Sequence, residues 1–599
     1  MELFKTARFD DFSRRADARS YVFTEPEGGV VACTADQVRP ALLQVEQAAE
    51  TGLHAVGYLS YEAAQGLDPR LEVCEPTDLP LVHFCFYRIR DEVTAGEGLG
   101  AGFSCDSLVW ESMQSRRAYN AALEAIRKHL VAGDTYQVNY TFRLRAALDA
   151  LPAGLYNRLA RAQQAPFAAF LDWEDHAILS ASPELFFRLK NGRLETRPMK
   201  GTRRRGRWLA EDRQMAEELA QSPKERAENV MITDMLRNDL GRISVPGSVG
   251  VPALFHAERY PTLWQLTSTV QSELAAEVGL VELFAALFPC ASVTGAPKVR
   301  TMEIIRALEH QARGVYTGAI GFVSPGLEAS FNVAIRTAHL NRRGGWLEYG
   351  VGGGITWDSS ADSEYDECLV KARVLSQSGL EFKLLETLLW EEGAYYLLNR
   401  HMERLVQSAE YWGYNWDEGR IIYELENAAK SFKQSNMRVR LLVSEEGVVE
   451  VVGTPLLPLK RAVLRAHWAP MPVDRDNPML YHKTTQRQIY ERALAGVPEG
   501  DEALLYNEQG ELTEFCIGNL VVELEGKWWT PPLVCGLLPG TLRAELLAQQ
   551  RIEERVLHFE DIERAEGIYL VNSVRGLVPV ESNIGGSICI ASAKQNSNA

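Results

Sequence analysis

Two stretches of this chain carry the same device, and together they restrict how it can fold. Residues 222–239 (SPKERAENVMITDMLRND) read as a helix with serine at the N-cap and proline in the first turn. Glu225 and Glu228 stand at i and i+3, so they share a face. Residues 363–371 (SEYDECLVK) repeat the spacing with Glu364 and Glu367, and Lys371 follows one turn on. Taken singly, either helix is also what a salt-bridged surface face looks like. Facing each other, the two would offer hard oxygen ligands to Mg2+, which takes one or two protein carboxylates and completes its shell with water and substrate. A fold that does so must close a long stretch of chain into one cleft.

Inside that stretch lies Thr196-Arg197-Pro198-Met199-Lys200-Gly201-Thr202. Proline fixes the approach, glycine lets the backbone come close to a ligand, and Lys200 sits between them with the Thr202 hydroxyl beside it. The run Arg203-Arg204-Arg205 behind it reads as a solvated surface. Upstream, a helix is predicted from Ser115 to Ala132, ending at Gly133-Asp134, and then a strand Thr135–Thr141. Alternation places Tyr136, Val138 and Tyr140 on one face of that strand and Gln137, Asn139 and Thr141 on the other, either a solvated face or a pocket wall. A second strand over 178–187 (ILSASPELFF) sets Glu184 among apolar residues, where a carboxyl would hold its proton to higher pH. Further on, Gly352-Gly353-Gly354, placed between a strand and a helix start, would expose backbone N–H groups to an anion. Arg336, interrupting an apolar strand, is suited to clamp a carboxylate.

At 599 residues, with 46% apolar, the chain predicts more than one domain. A formal charge of −17 argues against nucleic-acid and membrane-surface partners. Nine cysteines without a CxxC pair, and a start without an apolar leader core, predict a reducing cytoplasm. No apolar run approaches the ~20 residues of a membrane span.

The ordered motifs GDTYQVNYT, SASPELFF, TRPMKGT, SPKERAENVMITDMLRNDLGR, SVTGAPK, YTGAIGF, FNVAIRT and GVGGGITWDSSADSEYDE resemble the chorismate-utilising enzymes, over roughly residues 110–376. The resemblance implies an α/β sandwich over residues 1–376, with Mg2+ on Glu228 and Glu367 and with Glu225 and Glu364 behind them. It also implies that Thr202, Thr294, Tyr316, Arg336, Lys371 and the Gly352–Gly354 amides hold the substrate. Relatives that add water carry a lysine base where this chain has Gln137, which implies ammonia as the nucleophile. Relatives that aminate the ring beside its carboxylate carry alanine where this chain has Lys200, which implies amination at C4 with Lys200 as nucleophile and Glu184 as proton donor. One departure stands out: a histidine common in the family is Gln265 here.

After a linker at 377–383 a second pattern runs over 384–590. Pro539-Gly540-Thr541 opening a helix is a phosphate seat, to which Ser573 and Arg404 can add contacts, and Lys483 could form a Schiff base. Each fragment alone is equally a structural feature. With LTEFCIGNL and VNSVRG they resemble the fold-type IV pyridoxal-phosphate enzymes. That resemblance implies Lys483 as the cofactor lysine, Glu514 at the pyridine nitrogen, Arg404, Thr541 and Ser573 at the phosphate, and oligomerisation through this domain. The fusion implies an α/β (α+β) enzyme that aminates chorismate with ammonia and then eliminates pyruvate to give p-aminobenzoate, on the folate route. No glutamine amidotransferase nucleophile motif is present, so a separate subunit is expected to release ammonia from glutamine. The rival readings are an anthranilate synthase fused to a branched-chain or D-amino-acid aminotransferase, and a non-catalytic chorismate- or pyridoxal-phosphate-binding regulator.

Overall fold

The computed structural model describes residues 2–13, 15–100, 108–147, 152–375, 382–459 and 461–581. The polar tail from Ala591 lies outside these residues, as does the expected linker apart from Phe382 and Lys383. The chain is a mixed helix and strand protein of two compact units. One comprises Met1–Arg205 with Ala216–Gly379, the other Gly206–Met215 with Leu380–Ala599. The segment Gly206–Met215, expected inside the first domain, therefore groups with the second. Among the described residues no helix is long and apolar enough to cross a membrane.

In the first unit the described strands join into one hydrogen-bonded system of 18, and helices cover its faces over two apolar clusters. Helices Ala35–Glu50, Pro223–Gly241 and Leu280–Leu287 pack on the first cluster, with Phe187 stacked on Phe331 at 5.1 Å. Helices Arg116–Ala132, Pro152–Gln163 and Ala361–Ala372 pack on the second. Truncating a fully buried phenylalanine such as Phe187 would cost about 3–5 kcal/mol. These clusters fix the strands that carry the chemistry.

Helix boundaries follow their local signals closely. Ser115 caps Arg116–Ala132 by accepting from the Ala118 N–H, and left-handed Gly133 ends it. Ser222 caps Pro223–Gly241 in the same way through Glu225. Strands depart more from expectation. The predicted strand 178–187 is two strands, His176–Ser182 and Leu185–Lys190, because Pro183 has no N–H to donate and breaks the ladder. The strand expected from Thr135 begins at Gln137 and runs to Ala147, leaving Tyr136 outside it and 68% exposed. The glycine run is not a loop before a helix. It is the end of strand Trp346–Ile355, paired antiparallel with Gln137–Ala147 so that Gly352, Gly353 and Gly354 stand opposite Thr141, Tyr140 and Asn139. Arg203–Arg205 is not a uniformly solvated run either, since Arg205 is buried and donates to the Tyr260 carbonyl at 3.1 Å.

In the second unit, strands Leu384–Glu391, Ala394–Tyr395, Met437–Val443 and Val449–Pro455 form a four-stranded antiparallel sheet. Helices Leu398–Trp412 and Glu418–Ala429 share its apolar cluster. An eight-stranded mixed sheet follows, containing Leu512–Phe515, Gly518–Leu524 and Gly567–Asn572.

Candidate active sites

In the first unit a cavity of about 180 Å3 is lined by Glu184, Lys200, Thr202, Glu225, Glu228, Tyr316, Arg336, Gly352, Gly353, Gly354, Glu364, Glu367 and Lys371. These residues come from segments far apart in sequence. Lys200 reaches the cavity from strand Met199–Arg204, whose pairing with Leu263–Glu273 slips between Met199 and Thr202, a β-bulge centred on the lysine. Gly201 supplies the bulge with a φ of +97°, and a Cβ there would stand 3.0 Å from Glu225 Oε2. Burial lowers the Lys200 pKa, Glu228, Glu184 and Glu367 oppose that, and the Lys371 charge adds to it.

Glu184, directly after the strand-breaking proline, is buried, and its Oε1 has no hydrogen-bond partner. Burial pushes its carboxyl up to about 7, against the pull of the Ser292 hydroxyl and the Lys200 charge. A carboxyl so placed keeps its proton near neutrality, as a general acid would need. The polar face of strand Gln137–Ala147 is a buried wall, not a solvated face. Gln137 is fully buried with neither amide atom paired, Asn139 lines the cavity, and Thr141 donates to Glu309. Glycine at 354 leaves room for two side-chain ends, since a Cβ there would stand 2.7 Å from Lys200 Nζ and 2.8 Å from Gln137 Nε2 and would push the lysine tip aside. Gly350 likewise admits the Tyr316 ring, which would lie 2.3 Å from a Cβ.

Arg336 does not interrupt a strand. It sits between Glu328–Val333 and Thr337–Asn341 with a left-handed φ of +50°, a strained conformation of the kind that collects at functional sites. Its guanidinium is half-buried and donates to Gln163 Oε1. Lys371 donates to Gly352 O at 2.9 Å and pairs with Glu367 at 2.8 Å. Thr294 stands apart from the expected set. It is fully buried, its hydroxyl donates to Cys290 O at 3.1 Å, and its neighbours Ser292 and Val293 line the cavity in its place.

The four glutamates reach the cavity from two helices, and their oxygens suit a hard cation. Burial raises the pKa of Glu225, Glu228 and Glu364, whereas the Lys371 charge holds Glu367 below its ordinary value. Among the described residues no three His, Cys, Asp or Glu side chains gather closely enough to hold a metal unaided. Carboxylates that line one cavity from two helices are of the chemistry that suits a cation whose shell is completed by water and substrate.

Sequence reading missed the buried framework behind this wall. Arg313 donates to Glu309 at 2.8 and 2.7 Å, to Val293 O at 2.8 Å and to Asn139 O at 2.7 Å. Glu62 accepts the Arg313 and Gly314 N–H groups at 2.6 and 3.0 Å. The Arg313–Glu309 pair spans only four residues, but the bonds to Val293, Asn139 and Glu62 join residues remote in the chain, which no local pattern announces.

The second unit gathers Lys483, Glu514, Arg404, Thr541 and Ser573. Lys483 is half-buried, and desolvation together with the Arg404 charge lowers its pKa to about 8. Burial pushes the Glu514 carboxyl up to about 8, and it accepts from Tyr490 Oη at 2.8 Å and Asn519 Nδ2 at 3.2 Å. Helix Thr541–Ala548 opens at Gly540 without a side-chain cap, leaving its first amides directed outward. A Cβ at Gly540 would stand 1.8 Å from Asn519 Oδ1, so only glycine fits this approach. Arg404 gives two of its donors to Glu386, at 2.8 and 2.6 Å, and a third to Pro539 O at 3.1 Å. Burial pushes the Glu386 carboxyl up, but Arg404 and His401 together hold it down to about 2. His401, which sequence reading assigned no role, hydrogen-bonds Glu386 Oε2 at 2.7 Å and lies 3.0 Å from Ser573 Oγ and 3.3 Å from Thr541 Oγ1. A half-buried lysine of lowered pKa, a raised carboxyl and an uncapped helix start flanked by hydroxyls fit pyridoxal phosphate.

Comparison with known proteins matches each unit to a family. Residues 104–377 match the chorismate binding enzyme family and residues 383–583 match amino-transferase class IV, a domain that implies pyridoxal phosphate. Over 262 residues the chain is 44% identical to aminodeoxychorismate synthase component 1 of Salmonella typhimurium, covering 44% of this chain and 57% of that protein. It is 35% identical over 269 residues to anthranilate synthase component 1 of Aquifex aeolicus, covering 45% of this chain and 54% of that protein. The chain thus spans little more than half the length of these relatives. The crystal structure of anthranilate synthase component I from Streptococcus pneumoniae superposes with a TM-score of 0.54 at 26% identity, covering 61% of this chain and 93% of that one.

Proposed function

We propose that this chain, which joins a chorismate binding domain to a class IV amino-transferase domain, makes p-aminobenzoate from chorismate in two steps. The observation that carries the reading is the cavity lined by Lys200, Glu184 and four glutamates, with the buried Gln137 amide behind Gly354 close to the Lys200 tip. A desolvated amine with a lowered pKa can act as a nucleophile, and a buried carboxyl near 7 as an acid.

In the first step the Lys200 amine attacks C2 of the ring. The ring π electrons shift toward C4, and the 4-hydroxyl leaves as water with the proton of Glu184. Ammonia then bonds to C4, the π electrons shift back, and the C2–N bond breaks to release Lys200. Gln137 is an amide, so no base at that wall activates water in competition with ammonia. Arg336, Tyr316 and the glycine strand hold the substrate carboxylates. Glu228 and Glu367 would hold Mg2+, whose chemistry there is charge neutralisation of a carboxylate on the substrate.

In the second step pyridoxal phosphate, when bound at Lys483, supplies an electron sink next to the 4-amino nitrogen. Lys483 takes the proton from C4, and Glu514 keeps a proton at the pyridine nitrogen. The enolpyruvyl group leaves C3 as pyruvate and the ring becomes aromatic. Thr541, Ser573 and the first amides of helix Thr541–Ala548 would hold the phosphate, with His401 bridging the two hydroxyls. A separate amidotransferase subunit would supply ammonia from glutamine.

Supplying chorismate, ammonium, Mg2+ and pyridoxal phosphate to the purified chain, and identifying the aromatic amine by mass spectrometry and chromatography, tests the reading. p-Aminobenzoate with pyruvate is expected. Dominant anthranilate or isochorismate would overturn it, as would efficient transamination of branched-chain amino acids.

A further inference from the structure

The bulge that presents Lys200 needs its own support. The ladder runs from Met199 opposite Thr267 to Thr202 opposite Gln265, so neither Lys200 nor Gly201 has a partner residue on strand Leu263–Glu273. Backbone carbonyls removed from a ladder inside a protein must find other donors. Two side-chain amides provide them. Asn229 Nδ2 donates to Lys200 O at 3.3 Å, and Gln265 Nε2 donates to Gly201 O at 2.8 Å.

Each amide is itself fixed. Ser268 Oγ donates to Asn229 Oδ1 at 2.5 Å, and Asn229 Nδ2 also reaches Leu266 O at 3.3 Å. Thr202 Oγ1 donates to Gln265 Oε1 at 3.3 Å. Asn229 follows Glu228 on helix Pro223–Gly241, so this clamp ties the lysine to the glutamate helix on one side and to the neighbouring strand on the other. Both clamping groups are uncharged. They constrain the lysine backbone without adding to the field that Glu184, Glu228, Glu367 and Lys371 already create at its amine.

We propose that Asn229 and Gln265 are positioning residues that set where the Lys200 amine meets the ring, and thereby which ring carbon receives nitrogen. The inference rests on Lys200 being the nucleophile at C2. While its amine covers C2, ammonia is left with C4; displaced from C2, it leaves that carbon open. Gln265, which stands where relatives carry histidine, then acts as a donor to a carbonyl and transfers no proton.

The test uses the full chain with chorismate, ammonium and Mg2+, and reads kcat, the KM for chorismate and the ratio of para to ortho amine. Gln265→Ala and Asn229→Ala should each lower kcat for the para product about ten- to hundredfold, the scale of a ~1 Å misplacement, with KM changed less than about twofold. The ortho fraction should rise toward that of Lys200→Ala. Gln265→His, whose ring N–H can reach the same carbonyl, should restore most of the rate and the ratio. If both alanine variants keep the parental ratio, whether kcat holds or falls together with a raised KM, the clamp has no positioning role. If Lys200→Ala itself makes the para product at the parental rate, it is the nucleophile reading that fails.

Discussion

Glu367 holds the ammonium of Lys371 at 2.8 Å, one helical turn away on helix Ala361–Ala372. That contact keeps the carboxylate ionised against its burial, the state that the proposed cation would require. Glu228, on the other helix, feels the charges of Lys200 and of Lys224 one turn before it, yet burial outweighs both and raises its pKa. Glu228→Ala and Glu367→Ala should each abolish amination of chorismate and spare pyruvate elimination from added aminodeoxychorismate. Titrating both half-reactions with Mg2+ checks this, and unaltered Mg2+ dependence in both variants would remove the ligand assignment.

The raised pKa of Glu184 sets a pH limit on the first step. Its acid form is needed, and with a pKa raised to about 7 that form is lost as pH climbs through neutrality. The single-turnover rate of amination should therefore fall by about tenfold per unit once the Lys200 amine is fully neutral, because below that pH its gain offsets the loss of the Glu184 acid form. Glu184→Gln should remove that limb and lower the rate about 10²–10⁴-fold, the usual weight of a general acid. A parental alkaline limb in this variant would show that another group titrates there.

Lys200→Ala should suppress aminodeoxychorismate and divert some nitrogen to C2, because the amine that blocks that carbon is gone. Product analysis by chromatography reads the ratio directly. Undiminished p-aminobenzoate synthesis would rule out covalent participation.

Gly354→Ala places a methyl group where Lys200 Nζ and Gln137 Nε2 come within 2.8 Å. The lysine tip is the flexible partner and should yield, so the fold survives while amination drops about a hundredfold. Comparing the thermal midpoint with kcat separates the two effects. A loss of folding without a selective loss of rate would contradict the steric account.

Lys483→Ala should release pyridoxal phosphate on dialysis and accumulate aminodeoxychorismate while the Mg2+-dependent step continues. Borohydride treatment followed by peptide mass mapping should find the cofactor mass on Lys483 of the parent chain only. Parental pyruvate release in the variant would dismiss the residue as the base at C4.

The sequence by itself determined what depends on short spans of chain. Ser115 and Ser222 mark helix starts through bonds three residues long, Gly133 marks an end, and the glutamate spacing within each helix fixes a shared face. Ordered motifs named the residues to watch, Lys200 and Lys483 among them. Only the tertiary structure decided their state. Burial of Glu184, Lys200, Lys483 and Glu514 moves their protonation toward neutrality, and burial is a property of the whole packed unit. The bulge at Lys200, the exclusion of Thr294 from the cavity and the Glu386–Arg404–His401 cluster arise from partners far apart along the chain. Hydrogen bonds and desolvation act through space, so their partners become visible only once the strands have been brought into register.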